Sequence, residues 1–242
     1  MTGNLNVERN NGIASTGDHA DNKIIHLPPG GLRAADEVGC PARVAELGPH
    51  TAGRLFVGRD HELAALETAL AEGPGVITTG LGGVGKSTLA HRYADTHRDR
   101  YNPIWWIDAD EPEEIEAGLA RLARRLYPDL ALMPDTDAAA WGRAWLLGHE
   151  GWLVVLDNVN DPAHVADLVG TARGGHFVLT SRLTVGWQEL AEPVPLDVLT
   201  PQQAFDLLAR ATGGGRRELL EGAEELCQAL GYLPLAVRMA AA

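Results

Sequence analysis

One short stretch limits this chain more than any other: GLGGVGKST, residues 80–88, sets Gly80, Gly85, Lys86 and Ser87 at the spacing G-x-x-x-x-G-K-[ST]. An apolar run, GVITT (75–79), precedes it, and STLAHRYADTH follows with Leu89 and Tyr93 on one helical face. A strand, a glycine-rich turn and a helix in that order bring backbone N–H groups and the positive end of a helix dipole to one point, and an anion of phosphate type fits there. Glycines at 80, 82, 83 and 85 keep side chains away from that point and accept positive φ. With Val84 and Thr88, the expected phosphate-binding set is Gly80, Gly82, Gly83, Val84, Gly85, Lys86, Ser87 and Thr88. Lys86 is expected to bridge terminal phosphates as a point charge, and Ser87 to hold magnesium through its hydroxyl.

The pattern around the loop predicts an α/β fold with a parallel sheet covered by helices on both faces. Short apolar runs at 75–79, 104–109, 152–157, 176–181 and 193–196 read as strands. Between them, Leu63, Leu66 and Leu70 share one helical face, and Ile115, Leu119, Leu122 and Leu126 another. Asp161 and Pro162 read as the cap and first residue of a further helix. From about residue 198 the texture is helical only. Thr200 and Gln203 frame a capping box around Pro201, Leu219, Ala223, Leu226 and Leu230 mark a second helix, and a third starts near Pro234 and still runs at Ala242. The predicted organisation is a flexible extension over 1–51, a nucleotide-binding domain over 52–197 and a small helical domain over 198–242. From an apolar helix without a cap at the last residue, the last domain is expected to be incomplete and the chain a fragment.

A second carboxylate and a sensing cation complete the expected site. WLVVLDNVND ends an apolar strand in Asp157, where a carboxylate reaches a magnesium ion held over the loop, the Walker B arrangement. Metal ligation is therefore assigned to Ser87 and Asp157. The next residue is Asn158, whose amide orients water but takes no proton, so hydrolysis is expected to be slow or absent. HFVLTSR ends in Thr180, Ser181 and Arg182, and a guanidinium at that strand end can register loss of the terminal phosphate. The catalytic set is Lys86, Asp157, Asn158 and Arg182.

The formal charge of −13 disfavours contact with a phosphate backbone, and no basic patch offsets it. Cys40 and Cys227 lack the spacing of a metal or redox pair, and no apolar run approaches the roughly 18 residues of a membrane span. These features predict a cytoplasmic chain without nucleic-acid or membrane contact. His91 and His97 stand six apart, off a common helical face, and Trp105, Trp106, Trp141, Trp145 and Trp152 flank apolar segments as core residues do.

Four motifs in order resemble the NB-ARC nucleotide-binding domain of the STAND class of signalling ATPases, over about residues 52–242. FVGRDHEL (56–63) is similar to the segment that borders the adenine, and the resemblance implies that Val57 and Arg59 lie beside the base. GLGGVGKST and VVLDNV follow, then LTSR as the sensor motif with Arg182 on the terminal phosphate. GYLPLA (231–236) is similar to the family's GLPLA segment, implying that Pro234 packs on the adenine ring. The resemblance further implies a five-stranded parallel sheet with the sensor strand between the phosphate-loop strand and the Walker B strand. It implies ATP or ADP with Mg2+ as cofactor, and a switch between an ADP-held closed state and an ATP state that self-associates or binds a partner protein, coupled to signalling or transcriptional regulation. Asn158 departs from the family's second acid. Two other readings share the loop. A small-molecule kinase or other phosphotransferase would use mobile arginines, yet HRDR (97–100) and RLARR (121–125) read as solvated helix faces. A DNA-associated initiator ATPase is disfavoured by the acidic charge.

Overall fold

The computed structural model describes residues 31–48, 53, 55–213 and 222–241. Strands β1 (Gly75–Thr79), β2 (Ile104–Asp108), β3 (Leu153–Asp157), β4 (His176–Ser181) and β5 (Glu192–Pro195) form one parallel sheet in the order β2-β3-β4-β1-β5. The strand ending in LTSR therefore lies between the loop strand β1 and the Asp157 strand β3, as the resemblance implied. Helices α1 (Asp60–Glu72), α2 (Lys86–Thr96), α3 (Pro112–Leu126), α4 (Asp135–Gly148) and α5 (Pro162–Thr171) belong to the sheet unit, and α6 (Pro201–Ala211), α7 (Ala223–Ala229) and α8 (Pro234–Ala240) to the helical one. None of these helices is long and apolar enough to cross a membrane.

Alternation along the strands builds two cores, one on each face of the sheet. Trp105, Ile107, Val154, Leu156, Phe177 and Leu179 face α3, α4 and α5. Ile104, Trp106, Leu153, Val155, Val178 and Val76 face α1 and α2. Ile115, Leu119, Leu122 and Leu126 are all buried, as their spacing predicts. α3 is clasped closely between β2 and α4: a Cβ on Gly142 would stand 2.5 Å from the Leu119 carbonyl oxygen, and one on Gly118 2.5 Å from Ile107. Trp105, Trp106, Trp145 and Trp152 are core residues, and Trp141 is partly buried against the same cluster.

A third cluster, of Leu199, Ala204, Leu207, Leu208, Ala223, Cys227 and Val237, holds the helical unit together, with Leu55 and Val57 from ahead of α1 packed against it. The capping box is present: Thr200 Oγ1 accepts from the Gln203 N–H (3.3 Å), and Gln203 Oε1 accepts from the Thr200 N–H (2.9 Å). Asp161 likewise caps α5, accepting from the Ala163 N–H at 2.9 Å. α7 turns differently from its leucine pattern. Ala223 and Cys227 face inward while Leu226 is 39% exposed, because the seven-residue helix starts only after left-handed Gly222. Leu219 lies outside the described residues.

The extension departs from expectation. Residues 33–47 are packed on the domain rather than flexible. Val44 and Glu46 bond to Ile104 on the β2 edge, where Ala45 forms a parallel bridge. Trp145 Nε1 donates to Val38 O (2.7 Å), Trp141 Nε1 to Arg33 O (3.1 Å), and Asn102 Oδ1 accepts from the Val44 N–H (2.8 Å). The packing relies on isolated apolar side chains, Ala35, Val38 and Val44, and on backbone carbonyls. Neither carries a period that a pattern reading can detect. Residues 1–30 and 49–51 of the extension lie outside the described residues.

Candidate functional site

At the carboxyl end of β1 the chain reverses through the glycine loop into α2. Gly80, Gly83 and Gly85 have φ of 146°, 79° and 102°, the left-handed side of φ space that glycine tolerates without penalty. A Cβ on Gly80 would strike the Leu196 carbonyl oxygen, so the loop start admits only glycine. Gly85 is the N-cap of α2 without a side-chain cap, and the helix's first N–H groups open toward the loop. Lys86 is 9% exposed, and its Nζ donates to the carbonyls of Gly80 (2.9 Å) and Leu81 (3.0 Å). Burial, then the nearby Arg182 charge, lower its pKa, against a smaller opposing pull from Asp157.

A hydroxyl–carboxylate cluster faces the loop from β3 and β4. Asp157 is buried at the end of β3 and accepts at Oδ1 from Ser87 Oγ (2.7 Å) and from Thr180 Oγ1 (2.5 Å). Thr180 accepts in turn from the Asn158 N–H at 2.8 Å, which couples β4 to the turn after β3. Asn158 itself is left-handed, with φ 63°, a region in which Asn is enriched. The Arg182 guanidinium lies across Gly82: a Cβ there would be 3.7 Å from its central carbon.

These parts line one cleft of about 280 Å3 between the sheet unit and the helical unit. Of the sequence-predicted residues, Val57, Arg59, Gly82, Gly83, Val84, Gly85, Lys86, Ser87, Thr88, Asn158, Arg182 and Pro234 reach its wall. Gly80 and Asp157 stand behind it, the first fixing the loop and the second holding Ser87. The segment with Pro234 touches the loop directly, since the Leu235 N–H donates to Gly83 O at 3.2 Å. Arg59 is buried as a strut. Its guanidinium donates to Val84 O (3.2 Å), Asp197 O (2.7 Å) and Glu62 Oε1 (2.6 Å), tying α1, the glycine loop and the segment after β5 together.

Sequence reasoning missed Leu199, Leu207, Leu235 and Arg238, which also line the cleft. Arg238 was within reach of the pattern, one helical turn after Pro234. Missed too was Asp110, whose Oδ1 accepts from Asn158 Nδ2 (3.1 Å) and from Asn160 Nδ2. The signal lay in register: Asp108 at the end of β2 is the parallel partner of Asp157, so residues just beyond it meet those just beyond Asp157.

The donor set suits a small hard cation. Ser87 Oγ and Asp157 Oδ1 are hard oxygens 2.7 Å apart, and among the described residues no group of three or more His, Cys, Asp or Glu could hold a metal ion. Such a sparse pair matches magnesium, which keeps several waters and takes other ligands from phosphates.

Comparison with known proteins agrees with this geometry. The family model described as AAA ATPase domain matches residues 55–231. The regulatory protein AfsR of Streptomyces griseus is 33% identical over 202 residues, covering 77% of this chain and 20% of AfsR. A probable disease resistance RPP8-like protein of Arabidopsis thaliana is 26% identical over 236 residues, covering 89% of this chain and 26% of that protein. The chain thus spans about a fifth to a quarter of the length of these relatives. A RuvB variant from Thermotoga maritima superposes with a TM-score of 0.51 at 15% identity, over 81% of this chain and 64% of that one, a likeness of fold alone. With its glycine loop, five-stranded parallel sheet and a family match over most of its length, the chain belongs to the AAA ATPase domain family and resembles the NB-ARC type of STAND regulators within it.

Proposed function

We propose that this chain binds ATP or ADP with Mg2+ in the cleft and acts as a slow-hydrolysing switch, the nucleotide state setting how the helical unit sits against the sheet unit. One observation carries the reading: a single cleft is walled on one side by the glycine loop, Lys86 and Arg182, and on the other by Pro234 and Leu235 of α8. A nucleoside diphosphate is long enough to touch both walls, with phosphates on the loop and base toward Val57 and Pro234. Both walls then report on the same ligand.

In this reading the loop N–H groups and the α2 N-terminus hold the phosphates, and Lys86 exchanges its two carbonyl acceptors for phosphate oxygens. Ser87 and Asp157 would hold the magnesium ion, which neutralises phosphate charge when bound. Arg182, lying across Gly82, contacts the terminal phosphate, so its loss on hydrolysis removes an anionic partner at the loop itself. Arg59 stays on its carbonyls and steadies the loop rather than stacking on the base.

Coupling to regulation is inferred from relatives that are regulatory and disease-resistance proteins. Self-association or partner binding in the ATP state, a cytoplasmic location and the absence of nucleic-acid contact belong to the same proposal. The phosphotransferase alternative finds little support, because four of its five candidate arginines are already paired, Arg98 with Asp95, Arg100 with Glu67, Arg121 with Glu46 and Arg124 with Asp135, and none of the five lines the cleft. Isothermal titration of the chain with ADP and with ATP, each with magnesium, tests the reading. Saturable binding that Lys86→Ala weakens by roughly 10- to 100-fold is expected, and heat-silent titrations for both nucleotides would refute it.

A further inference from the structure

The residue after Asp157 is an amide, and an amide alone cannot fix a water molecule, because either of its ends can face the ligand. Here one end is already engaged. Asp110, at the exit of β2, accepts at Oδ1 from Asn158 Nδ2 (3.1 Å) and also from Asn160 Nδ2. A carboxylate only accepts, so the amide nitrogen of Asn158 must face Asp110 and its Oδ1 is the remaining acceptor. The Asn158 backbone is held as well, its N–H bonded to Thr180 Oγ1 at 2.8 Å in a left-handed conformation. Asn158 lines the cleft beside the loop, while Asp110 does not reach the wall.

We propose that Asp110 is a positioning residue that locks the Asn158 amide with its oxygen toward the cleft, where that oxygen holds the water attacking the terminal phosphate. The inference rests on the ATP-binding reading above. In the reaction, the water oxygen bonds to the γ-phosphorus as the bond from that phosphorus to the ADP oxygen breaks. The water proton passes to the oxygens of the departing phosphate, giving ADP and inorganic phosphate, and neither Asn158 nor Asp110 changes protonation. The carboxylate missing beside Asp157 is thus present one strand away, acting through the amide as an orienting acceptor rather than as a base.

The test uses the 242-residue chain, single-turnover hydrolysis of γ-labelled ATP, and binding of a fluorescent ATP analogue measured alongside. Asp110→Ala is expected to lower the hydrolysis rate about tenfold or more, since misorientation of a reacting group is costly, while KM and analogue affinity stay unchanged. Asp110→Asn keeps one acceptor oxygen and should retain most of the rate. Equal rates for wild type and Asp110→Ala would overturn the proposal. So would Asp110→Asn falling as far as Asp110→Ala, which would make the charge, not the orientation, the active property. Wild-type binding without any turnover also overturns it, whereas no analogue binding at all defeats the underlying nucleotide reading instead.

Discussion

The two ends of the sheet both carry polar side chains, yet they are built to opposite ends. At the amino end of the strands, Tyr101 shares hydrogen bonds with the Tyr93 hydroxyl (3.2 Å) and His176 Nδ1 (2.8 Å). Close by, Glu67 pairs with Arg100 (2.5 Å) and with His97 Nε2 (2.7 Å), and His97 stacks on Tyr93. Partners there satisfy one another. At the carboxyl end, Lys86 leans on loop carbonyls, Arg182 has no acid beside it among the described ion pairs, and the N-terminus of α2 is uncapped by a side chain. That end holds positive charge and donors in excess, which is what an anion completes. The difference teaches that a polar cluster signals ligand binding when its donors outnumber its acceptors, not merely when it is buried.

The contrast can be broken most forcefully at the amino end. Tyr101→Ala removes a buried ring that also anchors the network, and should cost about 3–5 kcal/mol of stability in denaturant titration with nucleotide Kd unchanged. Lys86→Ala should do the reverse, raising Kd by roughly 10- to 100-fold, the equivalent of about 1.5–3 kcal/mol for a charge-assisted contact, with little change in Tm. Asp161→Ala sharpens the comparison, because Asp161 stands near the carboxyl end yet only caps α5. It should lower stability by about 1 kcal/mol and leave Kd alone.

The smallest effects are those of pH: stability rises with pH at both ends of the sheet, each over its own window, whereas nucleotide affinity falls. Burial, with Arg100 next in weight, lowers the His176 pKa below its ordinary 6.5. Protons therefore favour the unfolded chain once the pH falls below 6.5, and this loss levels off at the lowered folded value. A pH series of thermal melts should show that slope, and His176→Gln should flatten it. Lys86 is lowered from 10.5. Nucleotide affinity should accordingly fall as pH rises through its depressed value, earlier than an ordinary lysine would require. Stability of the unliganded chain gains slightly over the same alkaline window, because the unfolded lysine holds its proton longer.

Features that are contiguous in the chain were legible in advance. The glycine loop needs its residues adjacent, so GLGGVGKST reads directly, as does the Thr200–Gln203 box, its two members three positions apart. β1 to β4 were visible because covered strands are short apolar runs, β5, an edge strand exposed at three of its four residues, was read from the short PVPL run, and the placement of β4 between β1 and β3 came from the family resemblance. Pairings made through space were not legible. Asp110 meets Asn158 across 48 positions, and Arg59 meets Asp197 across 138. No local pattern reports which carbonyl a guanidinium will find, so the Val84 and Asp197 oxygens that Arg59 reaches were not foreseen. α7 shows the same limit at short range, where the helix starts after left-handed Gly222 and leaves Leu226 exposed while Leu230 packs on the core.

The segment from residue 33 to 47 also bears on where this unit can be cut. β2 is one of the two edge strands of the sheet, and the Ile104 N–H and carbonyl are both occupied by that segment. Trimming the chain to begin at residue 52 would bare those groups and take the acceptors from the indoles of Trp141 and Trp145. An open, apolar margin of this kind recruits other molecules as readily as its own sequence. Clumping of such a shortened protein would then reflect a missing seam rather than the self-association proposed for the ATP state.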